Sequence, residues 1–355
     1  MESILGLSLG EVQKLVPKKF VAKQIYNWIY HNYKSSFDEM GNISKALRKE
    51  LSEKFSIHTM EIAKKEESLD GTIKYLFRLE DGRTVETVLI KMRDEVFNED
   101  GDILQQARYT ICVSTQVGCK VGCSFCSTAK GGFVRDLSTA EIVEQVLAIK
   151  REQEIEYSRK GNVVYMGMGE PLDNFTSLVN AIAILKDENG LSISPRRQTV
   201  STSGISTKID KLGSLDLGVH IAISLHAVDD EVRTELIPMN KAFNIQSIIS
   251  AVKRFPYDNR KRVMFEYLMI RGVNDSLESA KKLIKLLEGI KAKINLIYFN
   301  PHDGSEYERP TEENMEKFAD YLNRRGLLAT IRASRGVEIS AACGQLREKF
   351  ENSKN

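Results

Sequence analysis

From residue 108 onward the chain alternates between two hydrophobic patterns. Short runs dense in Val, Ile, Leu and aromatic residues read YTICVST, NVVYMG, QTVSTSG, HIAISLHA, RVMFEYLMI, INLIYFN and LATIRAS. Between them lie stretches with apolar positions near helical spacing, among them LSTAEIVEQVLAIKRE, SLESAKKLIKLLEGI and TEENMEKFADYLNRRG. The short runs predict strands and the longer stretches helices. Ser138 and Glu141 form a capping box that starts one of the helices. Strands alternating with helices imply parallel βαβ units. Six such units and a last strand fit an α/β fold of the TIM type, an incomplete (β/α)6 barrel, better than a full eightfold one. In such barrels the chemistry sits at the C-terminal ends of the strands.

The segment before the barrel reads differently. Residues 1–60 predict helices in LSLGEVQKLV, FVAKQIYNWIYHNY and ISKALRKELSEKF. Nine Lys and Arg stand there against six Asp and Glu, so this small module is mildly basic and a candidate grip for RNA. Its Tyr26, Trp28, Tyr30 and Tyr33 are more often the core of a helical module than base-stacking platforms. Residues 61–92 alternate in the strand manner, with Asp81-Gly82 at a hairpin turn. Residues 93–107, RDEVFNEDGDILQQA, are polar and predict a loop. The expected organisation is a helical N-terminal domain over 1–60, a β-hairpin linker over 61–107, the partial barrel over 108–345 and a tail over 346–355.

Composition narrows the class. A length of 355 residues, 42% hydrophobic and 28% charged, suits an ordinary globular protein. MESILGLSLGEVQKLV has no basic segment followed by an apolar core, so no secretory leader is expected. No apolar run approaches the length of about 20 residues that spans a membrane. A net charge of +2 says little about polyanions, although Lys18 and Lys19, Arg196 and Arg197, Arg260 to Arg262, and Arg324 and Arg325 form local basic clusters. Taken singly, each reads as a solvated surface. Five cysteines are too few for a disulfide scaffold.

Three of those cysteines carry the chemistry. Cys119, Cys123 and Cys126 have the spacing C-x3-C-x2-C within GCKVGCSFCSTAKGGF, a loop that offers three thiolates to one metal centre. A structural zinc site takes four protein ligands, and a complete four-iron cluster usually takes four cysteines. A cubane held by three leaves one iron open to a small chelating molecule. A zinc loop completed by a distant His is the bland alternative. The loop follows the first barrel strand, on the face where barrel chemistry sits. Gly167, Gly169 and Glu170 end the second strand, with the glycines placed to let backbone approach a ligand. Ser201, Ser224, His226 and Asn300 follow or end other predicted strands. Each alone would be a strand-end cap or a buried hydrogen-bonding group. Cys112, in the first strand, and Cys343, past the last, would singly read as inert core thiols. A pair of thiols on the face of a metal centre instead suggests covalent chemistry.

GCKVGCSFCSTAKGGF, MGMGEPLDN, STSG, SLHA, INLIYFNP and AACGQL, in this order, resemble the motifs of the radical S-adenosylmethionine (SAM) rRNA adenine methyltransferases. The resemblance runs from the N-terminal helices to the AACGQL tail. It implies a radical SAM barrel in which Cys119, Cys123 and Cys126 hold a [4Fe-4S] cluster. It implies SAM contacts at Gly169, Glu170, Ser201, Ser224, Leu225, His226 and Asn300. Cys343 would carry a methyl group, Cys112 would resolve a covalent adduct, and Glu86 in VETV would accept a proton. The implied substrate is an adenine of 23S rRNA, and also of tRNAs, methylated at C2. That carbon is electron-poor, so direct displacement on SAM cannot methylate it. The resemblance therefore implies two SAM molecules per turnover: one methylates Cys343, and the other is cleaved to a radical that activates the S-methyl group for addition to C2. Glu86 would take the C2 proton, and Cys112 would attack the Cys343 sulfur, leaving a disulfide. The base would have to leave its stack to be reached. A donor such as flavodoxin or ferredoxin, a monomeric state and a cytoplasmic location complete the expectation, with no membrane partner.

The chain departs from the family pattern in three places. The stretch between VETV and Cys112 is long, Lys91 stands where proline is usual, and Glu338 and Ser340 stand where Asp is common. The last two predict altered contacts in the loop before Cys343. The nearest competing activity methylates C8 of the same rRNA adenine, and Pro171, where C8 enzymes tend to carry alanine, favours C2. A non-catalytic iron–sulfur protein that binds RNA or assists ribosome assembly is a different class; two spare thiols fit it poorly. Radical methylthiotransferases would need more cysteines for a second cluster.

Overall fold

Ten strands follow one another across a single sheet in chain order: β1 (Met60–Glu67), β2 (Ile73–Leu79), β3 (Thr84–Arg93), β4 (Arg108–Cys112), β5 (Asn162–Tyr165), β6 (Gln198–Thr202), β7 (His220–Ser224), β8 (Val263–Met269), β9 (Ala292–Tyr298) and β10 (Leu328–Arg332). The computed structural model describes residues 1–98, 100–159, 161–257, 262–301 and 305–347. Strands β4 to β10 pair in parallel and β1 to β4 pair antiparallel. The seven parallel strands and the helices between them form the expected incomplete barrel. Six of the seven residues of β8 are buried, as befits a strand covered on both faces.

Helices α1 (Leu9–Leu15), α2 (Lys19–Tyr26) and α3 (Lys45–Lys54) precede the sheet. The crossovers hold α4 (Ser127–Lys130) and α5 (Thr139–Glu152), then α6 (Phe175–Lys186), α7 (Ser206–Ser214), α8 (Asp230–Leu236), α9 (Ile245–Arg254), α10 (Leu277–Leu286) and α11 (Glu312–Asn323). Ser138 caps α5 through a complete capping box with Glu141. Among the described residues no helix is long and apolar enough to cross a membrane.

Tyr26 and Tyr30 are core residues, as their helical context predicted. Trp28 and Tyr33 are only half-buried: Trp28 donates to Asn42 at 2.6 Å, and the Tyr33 hydroxyl donates to the Ile155 carbonyl at 2.7 Å. The latter bond, with His31 against the Gly190 carbonyl at 2.9 Å, ties the helical module to the barrel.

Two features depart from the sequence pattern. Strands β1 to β3 continue the barrel sheet directly, Val88 of β3 pairing with Cys112 of β4. The polar run 93–107 contains a small hairpin, Val96–Phe97 against Ile103–Gln105, which its composition concealed because backbone pairing needs no apolar alternation. Of the basic clusters, Arg260 and Lys261 lie outside the described residues.

Candidate active site

The cysteine loop begins where the first parallel strand ends. Gln116–Gly118 pairs antiparallel with Phe133–Asp136, and this stem closes the loop. Gly118 has φ +74°, and a Cβ there would stand 2.0 Å from the Gly132 carbonyl oxygen, so only glycine serves. The Cys119 N–H donates to that same carbonyl at 2.8 Å, and the Cys126 N–H to the Cys123 carbonyl at 3.2 Å. The three cysteines pack on an apolar cluster that includes Val121, Phe125, Ala227, Leu236 and Phe299. Phe125 supplies the apolar wall and meets His226 edge-on, ring centres 5.1 Å apart.

Burial pushes the Cys119 thiol up to about 12 and the Cys123 thiol well above its ordinary value. The neighbouring thiols and Glu170 push in the same direction. Thiols so placed are thiolates only when a cation takes the proton's place. Among the described residues no three His, Cys, Asp or Glu side chains stand where one metal ion could join them. A soft three-sulfur donor set on one loop fits an iron–sulfur cluster, which holds its cysteines on separate irons.

The strand ends around this loop carry the other candidates. Glu170 is buried; its carboxylate accepts the N–H groups of Leu172 at 3.1 Å and Ser203 at 2.7 Å, and burial raises its pKa. Gly169, at φ +100°, is needed for a reason other than ligand approach. A Cβ there would meet the Gln116 side chain at 2.6 Å, and one on Gly167 would meet Ser114 at 2.7 Å. Both glycines thus admit protein, bringing the turn after β5 against the segment after β4. Ser201 lies in β6 and Ser224 ends β7, both half-buried, while Leu225 is fully buried. His226 adopts φ +58°, uncommon for a residue other than glycine. Its Nδ1 accepts the Leu268 N–H at 3.0 Å, so the neutral ring carries its proton on Nε2. Burial, and then Arg233, lower its pKa to about 3. Asn300 leaves Oδ1 buried without a partner, whereas the Ser203 hydroxyl is turned toward the Glu170 carboxylate. A buried acceptor such as Asn300 Oδ1 is costly unless a ligand fills it.

The tail brings Cys343 to the same place. The Ser127 N–H donates to the Gly344 carbonyl at 2.7 Å, and Thr128 Oγ1 donates to the Leu346 carbonyl. Asn300 Nδ2 reaches the Cys343 carbonyl at 3.5 Å. Cys343 is solvent-accessible yet hemmed in, and burial and Glu266 raise its pKa while Arg332 opposes them. Burial also raises the Cys112 pKa, with the Cys343 thiol near enough to add to it. The fold thus brings the two spare thiols within electrostatic reach although 231 positions separate them in the sequence. Glu86, on β3, is buried: Lys74 lies 3.2 Å from Oε1, and the Arg347 N–H donates to Oε2 at 2.8 Å.

Sequence reasoning missed two charged residues here. Arg233 is fully buried and donates to the carbonyls of Leu225 (3.0 Å), Ser224 (3.1 Å) and Ser203, and to Asn240 Oδ1 (2.8 Å). It stitches together the ends of β6 and β7. Lys74 is the other; the strand TIKYLFRL gave no signal for it, since its other cation, Arg78, is exposed.

Comparison with known proteins places this arrangement. The Radical SAM superfamily model matches residues 113–287, and the model of the ribosomal RNA large subunit methyltransferase N-terminal domain matches residues 10–57. The Dual-specificity RNA methyltransferase RlmN of Sulfurimonas denitrificans is 63% identical over 350 residues, covering 99% of this chain and 98% of that protein. The protein of the same name from Wolinella succinogenes is 59% identical over 355 residues, covering 100% and 99%. The crystal structure of a radical SAM methyltransferase from Sphaerobacter thermophilus superposes with a TM-score of 0.89 at 39% identity, covering 98% of this chain and 99% of that one.

Proposed function

The chain belongs to the RlmN family of radical SAM RNA methyltransferases, and from that premise we propose that it methylates C2 of an adenine in 23S rRNA and in tRNA, with Cys343 as the methyl carrier. The observation that carries the reading is the meeting of three distant segments: the Cys343 tail is hydrogen-bonded to the cysteine loop at Ser127, and its thiol lies within electrostatic reach of Cys112. A chemistry that only cleaved SAM would have no use for that second pair of sulfurs.

Cys119, Cys123 and Cys126 hold the [4Fe-4S] cluster in this reading. Gly169, Glu170, Ser201, Ser224, Leu225, His226 and Asn300 form the SAM site, and the unpartnered Oδ1 of Asn300 supports a polar ligand there. When bound, cluster and SAM supply a methyl group and a 5′-deoxyadenosyl radical. Cys343 accepts the methyl group on sulfur and presents it to the base. Glu86 accepts the proton that leaves C2. The Cys112 thiolate attacks the Cys343 sulfur and forms the Cys112–Cys343 disulfide; the electron pair of the broken S–C bond leaves with the product carbon, which takes a proton from solvent to become the methyl group. Neutral His226 backs the loop through Phe125 without adding charge. Two SAM molecules serve each turnover, a small electron-transfer protein such as flavodoxin or ferredoxin supplies the electron, and the chain works as a monomer in the cytoplasm. Lys18 and Lys19 of the helical module contribute to an RNA track.

The test is mass spectrometry of nucleosides after anaerobic reaction of reconstituted protein with SAM, a reductant and a 23S rRNA fragment. The expected product is 2-methyladenosine, absent with Cys343→Ala. A product of 8-methyladenosine would overturn the position assigned on the base.

A further inference from the structure

Lys74 is the second residue of β2, and its buried ammonium lies among three oxygen acceptors. Glu86 Oε1 lies at 3.2 Å, Glu66 Oε2 at 3.4 Å and the Ser340 carbonyl at 3.5 Å. The other oxygen of Glu86 accepts the Arg347 N–H at 2.8 Å. Ser340 and Arg347 stand three residues before and four after Cys343. Both arms of the Cys343 loop therefore rest on one buried ion pair, whose side chains are each 2% exposed. The root of the loop is held elsewhere. Glu338 accepts from Ser68 Oγ at 2.5 Å and from the Leu69 N–H at 3.0 Å, and the Gly336 N–H donates to Asp70 at 3.1 Å. These contacts clamp the start of the loop to the β1–β2 turn, through a residue that departs from the family pattern.

We propose that Lys74 is a positioning residue: with Glu86 it forms a seat that holds the Cys343 loop while Glu86 is a carboxylate, and proton uptake by Glu86 unseats the loop. The inference rests on the reading of Glu86 as the proton acceptor. The C2 proton passes to the carboxylate, and the electron pair of the broken C–H bond stays with the base. The resulting acid is neutral. It offers Lys74 no charge, and its O–H turns one acceptor into a donor facing donors. Arg347 then loses its anchor, and Lys74, which holds Ser340, loses one of its two carboxylate partners, while Glu338 and Gly336 keep theirs. The loop tip is freed and its root is not. That release comes at the step when Cys112 must reach the Cys343 sulfur, so proton transfer and resolution are ordered by one pair of side chains.

Hydrogen exchange read by mass spectrometry on the full-length reconstituted protein tests the seat directly. Glu86→Gln and Lys74→Met should each speed amide exchange across residues 340–347 about ten-fold, the effect of losing one charge-assisted hydrogen bond. Lys74→Arg should restore most of the protection, and residues 336–338 should stay protected throughout. If Lys74→Met does not fold, Glu86→Gln alone decides. Wild-type exchange in Glu86→Gln overturns the seat. The reaction with SAM, reductant and RNA separates this from the premise, because a lost proton acceptor leaves the protein–RNA crosslink unresolved. A crosslink without faster exchange overturns the seat and supports the acceptor. Faster exchange without a crosslink supports the seat and overturns its coupling to proton transfer.

Discussion

His226 shows how much a single residue can owe to its surroundings. Its Nδ1 accepts the Leu268 N–H, which only an uncharged ring can do, and its left-handed backbone and edge-on contact with Phe125 hold the ring in that place. The unfolded chain takes up a proton on this group near pH 6.5, whereas the folded chain resists until about pH 3. Stability from His226 is thus fully present above pH 6.5 and is lost as the pH falls through that window, by up to about 1.4 kcal/mol per pH unit. Urea unfolding at pH 7 and pH 5 should show the loss, and His226→Gln should flatten the difference. Gly169 is a second residue fixed by its neighbours. Gly169→Ala puts a methyl group within 2.6 Å of Gln116, whose Oε1 accepts the Glu170 N–H at 2.8 Å. A loss of about 2–3 kcal/mol is expected from overpacking and the strained φ. An unchanged urea midpoint would show that the turn yields.

At the scale of elements, the best-supported joint is the start of α5. Ser138 accepts the Glu141 N–H, and Glu141 also binds Arg135 of the stem that closes the cysteine loop, at 2.8 and 3.0 Å. Arg135 in turn reaches Asp81 in the β2–β3 turn at 2.7 Å. The cap therefore links a helix, the stem and a hairpin. Ser138→Ala should cost about 1 kcal/mol of global stability, the usual worth of such a cap, with iron content unchanged. Lost iron on that substitution would mean that the cap also shapes the cysteine loop. The capping box was legible in the sequence because it spans four residues. The contact with Asp81 was not, because it crosses more than fifty.

At the scale of the molecule, the candidate site exists only where β3, β4, the cysteine loop and the tail meet. The proposed roles separate cleanly by substitution. Cys119→Ala should lower bound iron to background. Cys343→Ala should keep the iron and the cleavage of SAM but give no methylated RNA. Cys112→Ala should accumulate a protein–RNA crosslink, visible as a shifted band that ribonuclease removes. Iron retained in Cys119→Ala would overturn its place in the ligand set.

The order of strands and helices, and the cysteine loop, could be read from the sequence because periodicity and short spacings are local properties. Each strand run had its own apolar density, and three thiols within eight positions must share a loop. The nearness of Cys112 to Cys343 entered there as an implication of the resemblance, and it is the fold that brings the two thiols together. The tertiary structure alone decided that β1 to β3 extend the barrel sheet, that Gly167 and Gly169 admit protein, and that Lys74 and Arg233 are buried. Nothing in TIKYLFRL or DEVRTEL distinguishes a solvated cation from a buried one. What surrounds a side chain depends on which distant backbone packs over it, and for Lys74 that backbone lies more than 260 residues away, at Ser340.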